Sequence, residues 1–128
     1  MTKKKKEAIL IVEDEPTLLR VIAEKLTHEG FHALEAKNGK EGIALAVKKR
    51  PDLILLDIIM PVMDGMTMLA KLRKDAWGKN VPVVILTNLS DEKKVGDAIE
   101  KGVFDYLVKS DWTLEDVVKK VKKRLKKK

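Results

Sequence analysis

Short apolar runs alternate with longer amphipathic stretches five times along the chain. Ala8-Ile9-Leu10-Ile11-Val12 reads as a buried strand, and Leu53 to Leu56 as another, apolar on both faces. Phe31 to Ala36 gives a weaker strand between them; Val81 to Leu86 and Phe104 to Val108 supply a fourth and a fifth. Helical spacing fills the gaps. Pro16 sits where a first turn tolerates it, Leu19, Ile22, Ala23 and Leu26 recur on one face, and Gly30 ends the segment. Asn38-Gly39 reads as a turn. The helix after it, Lys40 to Lys49, is expected to face Ile43, Ala46 and Val47 inward before Pro51-Asp52 breaks it. Met66 to Lys74 gives a third helix, and Ser90-Asp91-Glu92 caps a fourth that runs to Gly102. Thr113-Leu114-Glu115-Asp116 has the form of a capping box, with Leu114, Val117, Val118, Val121 and Leu125 on the inner face of the last helix. Five strand–helix repeats with strands buried on both faces predict an α/β three-layer sandwich around a parallel sheet.

With 128 residues and 45% of them hydrophobic, the chain is read as one domain, residues 1–128, with a core over about residues 7–125 and basic tails. Cysteine is absent, which removes disulfides, zinc–thiolate clusters and catalytic thiols. The apolar runs are too short to span a bilayer, so no membrane partner is expected. The net charge of +7 is unevenly placed. Residues 7–118 hold all 20 acidic residues against 15 basic ones, while Lys3 to Lys6 and the segment Lys119 to Lys128 are purely basic in charge. The tails are read first as a solvated helix face and a chain end; contact with a polyanion is the alternative.

The candidate chemistry follows from position. In an open parallel sheet, ligands gather beyond the carboxyl ends of the strands. Glu13, Asp14 and Glu15 follow the first strand, Asp57 the third, Thr87 the fourth and Lys109 the fifth. Clustered carboxylates repel one another unless a cation neutralises them, and hard oxygen ligands favour Mg²⁺. An Asp carboxylate attacks phosphorus to form an aspartyl phosphate, and a hydroxyl, an ammonium and a metal meet the charge on the transferring oxygens. Singly, each residue has a plainer use: Asp14 as a helix N-cap, Thr87 as a turn former, Lys109 as a solvated cation. Their joint placement at four strand ends favours the chemical reading.

Ile9 to Glu15, the segment LILLDIIMPVMDG from Leu53 to Gly65, VPVVILT from Val81 to Thr87 and GVFDYLVK from Gly102 to Lys109 resemble the response-regulator receiver domains, the CheY-like family. The resemblance covers about residues 7–125. It implies a flavodoxin-like (βα)5 sandwich with a five-stranded parallel sheet of order 2-1-3-4-5. It implies that Asp57 is the phosphoacceptor, that Asp14 and Asp57 ligate Mg²⁺ (with Mn²⁺ able to substitute), that Glu13 reaches the metal through water, and that the Ile59 backbone carbonyl supplies a further oxygen. Thr87 and Lys109 would hold the phosphoryl group, and Thr87 with Tyr106 would form the switch. The implied partners are a histidine kinase or histidine phosphotransfer protein and a downstream protein target. The face of the fourth helix, fifth strand and last helix would bind that target or a second copy. The implied role is a stand-alone cytoplasmic phosphoacceptor in two-component signalling. It would be no enzyme beyond its own phosphorylation and dephosphorylation, and nucleic acid is not expected as a partner.

Three positions depart from the family pattern. Ser110 follows Lys109 where most receivers have proline, and a non-proline cis bond there would cost about 2.5–4 kcal/mol. Asn88 stands where many receivers have a small residue. Ile59 and Leu89 put two apolar side chains where the family borders its hydrolytic water, which predicts a long-lived phosphoryl group. Other readings are a polyanion binder, an unphosphorylated adaptor and a haloacid-dehalogenase-like phosphatase. The last needs a second Asp two residues after the first, where this chain has Ile59.

Overall fold

The structure is a computed structural model that describes residues 6–58, 60, 62–87, 105–108 and 113–126. Strands β1 (Ala8–Val12), β2 (His32–Ala36), β3 (Leu53–Asp57), β4 (Val83–Thr87) and β5 (Asp105–Val108) form one sheet in the order β2-β1-β3-β4-β5. Every pairing is parallel. Helices α1 (Pro16–His28), α2 (Gly39–Lys49) and α3 (Gly65–Lys74) and the C-terminal helix (Leu114–Lys126) cover its two faces. The doubly wound α/β arrangement is therefore the one expected from strands without a polar side. The helix expected between Ser90 and Gly102 lies outside the described residues.

Alternation along the strands divides the core in two. Leu10, Val12, Ile54, Leu56, Val83 and Ile85 point to α2 and α3. Ile9, Ile11, Leu53, Leu55, Val84 and Leu86 point to α1 and the C-terminal helix. Period-2 alternation sends neighbours to opposite layers, so a central strand must be apolar throughout. β3 is buried at all five positions.

Local chemistry sets the helix ends. Glu15, not Asp14, caps α1: its carboxylate accepts from the N–H groups of Thr17 and Leu18 at 3.2 and 2.9 Å. Asn38 caps α2 through Glu41 N, and Asp64 caps α3 through Thr67 N, both at 2.8 Å. The Asn38-Gly39 turn is thus a helix start. The capping box of the last helix is present: Thr113 Oγ1 accepts from Asp116 N, and Asp116 Oδ2 accepts from Thr113 N. Each cap satisfies backbone donors that have no partner inside the helix.

One expectation about α2 fails. Val47 is 41% exposed, and the buried line runs through Gly39, Gly42 and Ala46, with Ile43 and Leu45 half-buried beside it. Gly42 lies so close to Val12 and Met68 that an added Cβ would sit 3.0 Å from Val12 Cγ2 and 2.9 Å from Met68 Sδ. The helix approaches the sheet along its smallest residues, and that choice rotates Val47 outward.

Candidate functional site

Register brings the acidic residues together. Val12 pairs with Leu56, so the next residue on each strand, Glu13 and Asp57, emerges at the same level of the sheet edge. Asp57 pairs with Leu86, which puts the Thr87 backbone one position beyond it, and Thr87 pairs with Val108. The residue after Val108 is Lys109. The parallel sheet thus collects at one edge Glu13, Asp14, Asp57 and the Thr87 backbone, while Lys109 lies outside the described residues.

Carboxylate oxygens of Glu13, Asp14 and Asp57 lie within 4.8 Å of one another. Glu13 is fully buried and Asp57 is 4% exposed, while Asp14 is open to solvent. Glu13 Oε2 accepts from Glu15 N at 3.1 Å, and Glu13 N donates to Ala36 O at 3.0 Å. The first of these contacts folds the turn after β1 back on itself. With Glu15 capping α1, Asp14 keeps its carboxylate for the cluster. Among the described residues no other group of three or more His, Cys, Asp or Glu side chains comes together in this way.

The donor set fits a hard divalent cation. An octahedral Mg²⁺ with bonds of about 2.1 Å holds its ligand oxygens about 3 to 4 Å apart. Three carboxylates at the observed spacing match one or two direct ligands and one set back behind water. Two of the three are buried carboxylates of like charge, a combination that favours a counter-cation over three bare anions.

The loop after β3 is fixed by its glycine. Gly65 N donates to Ile58 O at 2.7 Å, and a Cβ on Gly65 would run into the carbonyl oxygen of Asp57. Only a residue without a side chain lets α3 start against the backbone of β3. Gly39 N reaches the same loop at Met63 O, 3.0 Å away. Val62, between them, has φ 71° and is 76% exposed, a left-handed conformation that β-branched residues rarely take. The part that Gly65 and Val62 play was not read from the sequence. The signal for Gly65 was its place straight after the α3 cap, Asp64; for Val62 there was none.

Of the expected site residues, the structure brings Glu13, Asp14 and Asp57 together and places the backbones of Thr87 and Tyr106 on neighbouring strands. The side chains of Thr87 and Tyr106 lie outside the described residues. So do Ile59, Lys109, Asn88, Leu89 and Ser110 altogether.

The family model "Response regulator receiver domain" matches residues 9–122. The protein PilH of Pseudomonas aeruginosa is 39% identical over 101 residues, which span 79% of this chain and 84% of PilH. The probable transcriptional regulator ycf27 of Porphyridium aerugineum is 34% identical over 94% of this chain; the chain spans half the length of that relative. Among solved structures, the chemotaxis protein CheY4 of Vibrio cholerae superposes with a TM-score of 0.86 at 27% identity, covering 93% of this chain and 98% of CheY4. A CheY-like receiver domain protein of Methanospirillum hungatei gives a TM-score of 0.89 at 25% identity, covering 96% of each. With its strand-end carboxylates at the sheet edge where such a site belongs, the chain belongs to the response regulator receiver domain family.

Proposed function

We propose that the chain is a phosphoacceptor switch in which Asp57 takes a phosphoryl group from a phosphorylated histidine. The donor is a histidine kinase or a histidine phosphotransfer protein in the cytoplasm. The observation that carries this reading is the convergence of Glu13, Asp14 and Asp57 within 4.8 Å at the end of the sheet. An Asp57 oxygen forms the new P–O bond while the N–P bond to the donor histidine breaks and its electron pair stays on the imidazole. Hydrolysis later releases inorganic phosphate and restores the carboxylate. No other molecule is turned over, so the chain is not an enzyme in the usual sense.

Mg²⁺, held by Asp14 and Asp57, by Glu13 through water and by the Ile59 carbonyl, would neutralise phosphate charge and let the anion approach the carboxylates. The residues of the chain do the rest. Gly65, whose N–H donates to Ile58 O, would steady the backbone beside Asp57, and the burial of Asp57 would limit water at the attacking oxygen. Thr87 and Lys109 would bind the phosphoryl oxygens. Thr87 and Tyr106 would then bias a two-state equilibrium of the face formed by residues 91–101, β5 and the C-terminal helix, where a target or a second copy docks. Ile59 and Leu89 would make the phosphoryl group persistent; Ile59→Asn with Leu89→Glu should then speed its decay, and an unchanged decay rate would sink that part of the reading.

Intact-mass spectrometry after incubation with acetyl phosphate and Mg²⁺ tests the central step. One phosphoryl adduct is expected, lost in Asp57→Asn and in EDTA. A folded parent chain that takes no adduct from acetyl phosphate or from a phosphorylated histidine donor refutes it.

A further inference from the structure

The carboxylate site occupies one pole of the molecule, and the opposite pole has the opposite charge. In a parallel sheet each crossover helix carries the chain back to the edge where strands begin. Helix ends and strand starts therefore share one surface. Lys6 precedes β1, Lys48, Lys49 and Arg50 close α2, and Lys79 lies in the turn before β4, all exposed. The last helix extends this surface. Lys25 pairs with Glu115 and Glu29 pairs with Lys122, so contacts advance along α1 and the C-terminal helix in the same direction. Glu29 already lies past the end of α1, and Lys123 and the turn after it continue beyond that point.

Three carboxylates near this edge have partners of their own, and Glu7, beside Lys6, is an exposed fourth. Asp52 Oδ2 accepts from Ala8 N at 2.7 Å. Asp75 Oδ1 accepts from Trp77 N and Gly78 N at 2.9 and 3.1 Å. Glu29 is shared by Lys25 and Lys122. Basic last turns also suit the helix dipole, which accounts for Lys48 and Lys49. It does not account for Lys6, Lys79 or Lys119, which lie outside any last helical turn and are exposed.

We propose that this basic pole binds nucleic acid through its phosphate backbone, without reading bases, at the end of the molecule opposite Asp57. A dense, linear array of phosphates complements cations drawn from several elements along one surface. The C-terminal helix buries its apolar side, Val117, Val118, Val121 and Leu125, against the sheet, so it has no apolar face to insert into a bilayer. The acidic pole of a second copy is a weaker match, because its carboxylates suit a divalent cation at the same place. Binding at this pole leaves the Asp57 site open, so both activities coexist on one molecule.

The test uses the whole chain and a fluorescein-labelled duplex of roughly 20 base pairs, followed by anisotropy across a salt series. Affinity should fall steeply with salt, with a log–log slope of about −4 or steeper. Lys48→Glu with Lys123→Glu should weaken binding roughly tenfold or more at low salt and flatten the slope by about two. Lys37→Glu with Lys40→Glu makes the same charge change at the other pole and should leave both nearly unaltered. All four lysines are exposed, and thermal melts establish that both variants fold. No binding at low salt overturns the proposal, as does an equal effect of the two double variants. Tighter binding to vesicles of phosphatidylserine and phosphatidylcholine than to the duplex also overturns it, as does self-association that excludes DNA.

Discussion

The two helical layers hold the same sheet by different means. On the α2–α3 side, small residues let backbone approach backbone or the base of a side chain: Gly65 on Asp57, Gly39 on Met63, Gly42 on Val12. On the other side, aliphatic side chains of α1 and the C-terminal helix fill the space, and long charged side chains bridge the rim. A contact made by backbone atoms has no rotamer through which to relax, whereas a Lys–Glu bridge yields readily. The loop after Asp57 hangs from the stiff side. The proposed phosphoryl transfer would need a fixed oxygen, and the α2–α3 layer is the side that would fix it.

The largest effect should come from testing that stiffness. Gly65→Ala places a Cβ against the Asp57 carbonyl, and either α3 or the end of β3 must move. It should cost about 4 kcal/mol in urea unfolding and abolish the phosphoryl adduct even in molecules that remain folded. Leu26→Ala, in the fully buried side-chain layer, should cost about 3 kcal/mol yet leave the adduct intact. A Gly65→Ala protein that is phosphorylated normally would erase the distinction between the layers.

These residues also mark what the sequence disclosed. Apolar runs gave the strands, because a strand buried on both faces has no polar position to hide it. Carboxylates at strand ends gave the site, because parallel topology gathers those ends at one edge. Contact distances were not legible. Val47 looks like an inward residue by spacing alone, and only the close approach of Gly42 to Val12 and Met68 shows why α2 rotates it out. Asp14 is the cap candidate by residue type, until backbone geometry gives the cap to Glu15 and frees Asp14 for the cluster. The strained φ of Val62 has no signature in composition or period.

Val62 offers a smaller effect of opposite sign. Replacing a β-branched residue at φ 71° with glycine removes backbone strain, and its exposed side chain contributes little packing. Val62→Gly should be neutral to stabilising, by up to about 1 kcal/mol after the entropy that glycine gains in the unfolded chain. The strain sits in the loop that presents Asp57. Adduct formation should therefore slow if the strain positions that loop and stay unchanged if it is incidental, a rate comparison that sharpens how far the stiff layer extends.

The smallest effect belongs to the charged rim, and its pH dependence identifies it. The hydrogen bond and charge of Lys122, with Lys25 adding to them, hold the Glu29 carboxyl below its ordinary range. A depressed carboxylate contributes stability above its unfolded value and loses it as pH falls through the folded one. The difference in Tm between the parent and Glu29→Gln should thus be constant at neutral pH and vanish under acid conditions. Lys25 is shifted the other way, raised chiefly by its hydrogen bond to Glu115. Its contribution is complete below the unfolded lysine value and disappears only as pH rises through the folded one, so Glu115→Gln should differ from the parent until strongly alkaline pH. Both differences should shrink with added salt, because these groups are solvent-exposed. Paired calorimetric scans across pH would show this. A Glu29→Gln difference that stays flat into acid would mean that the side chain acts by packing, and the rim would then resemble the stiff layer rather than contrast with it.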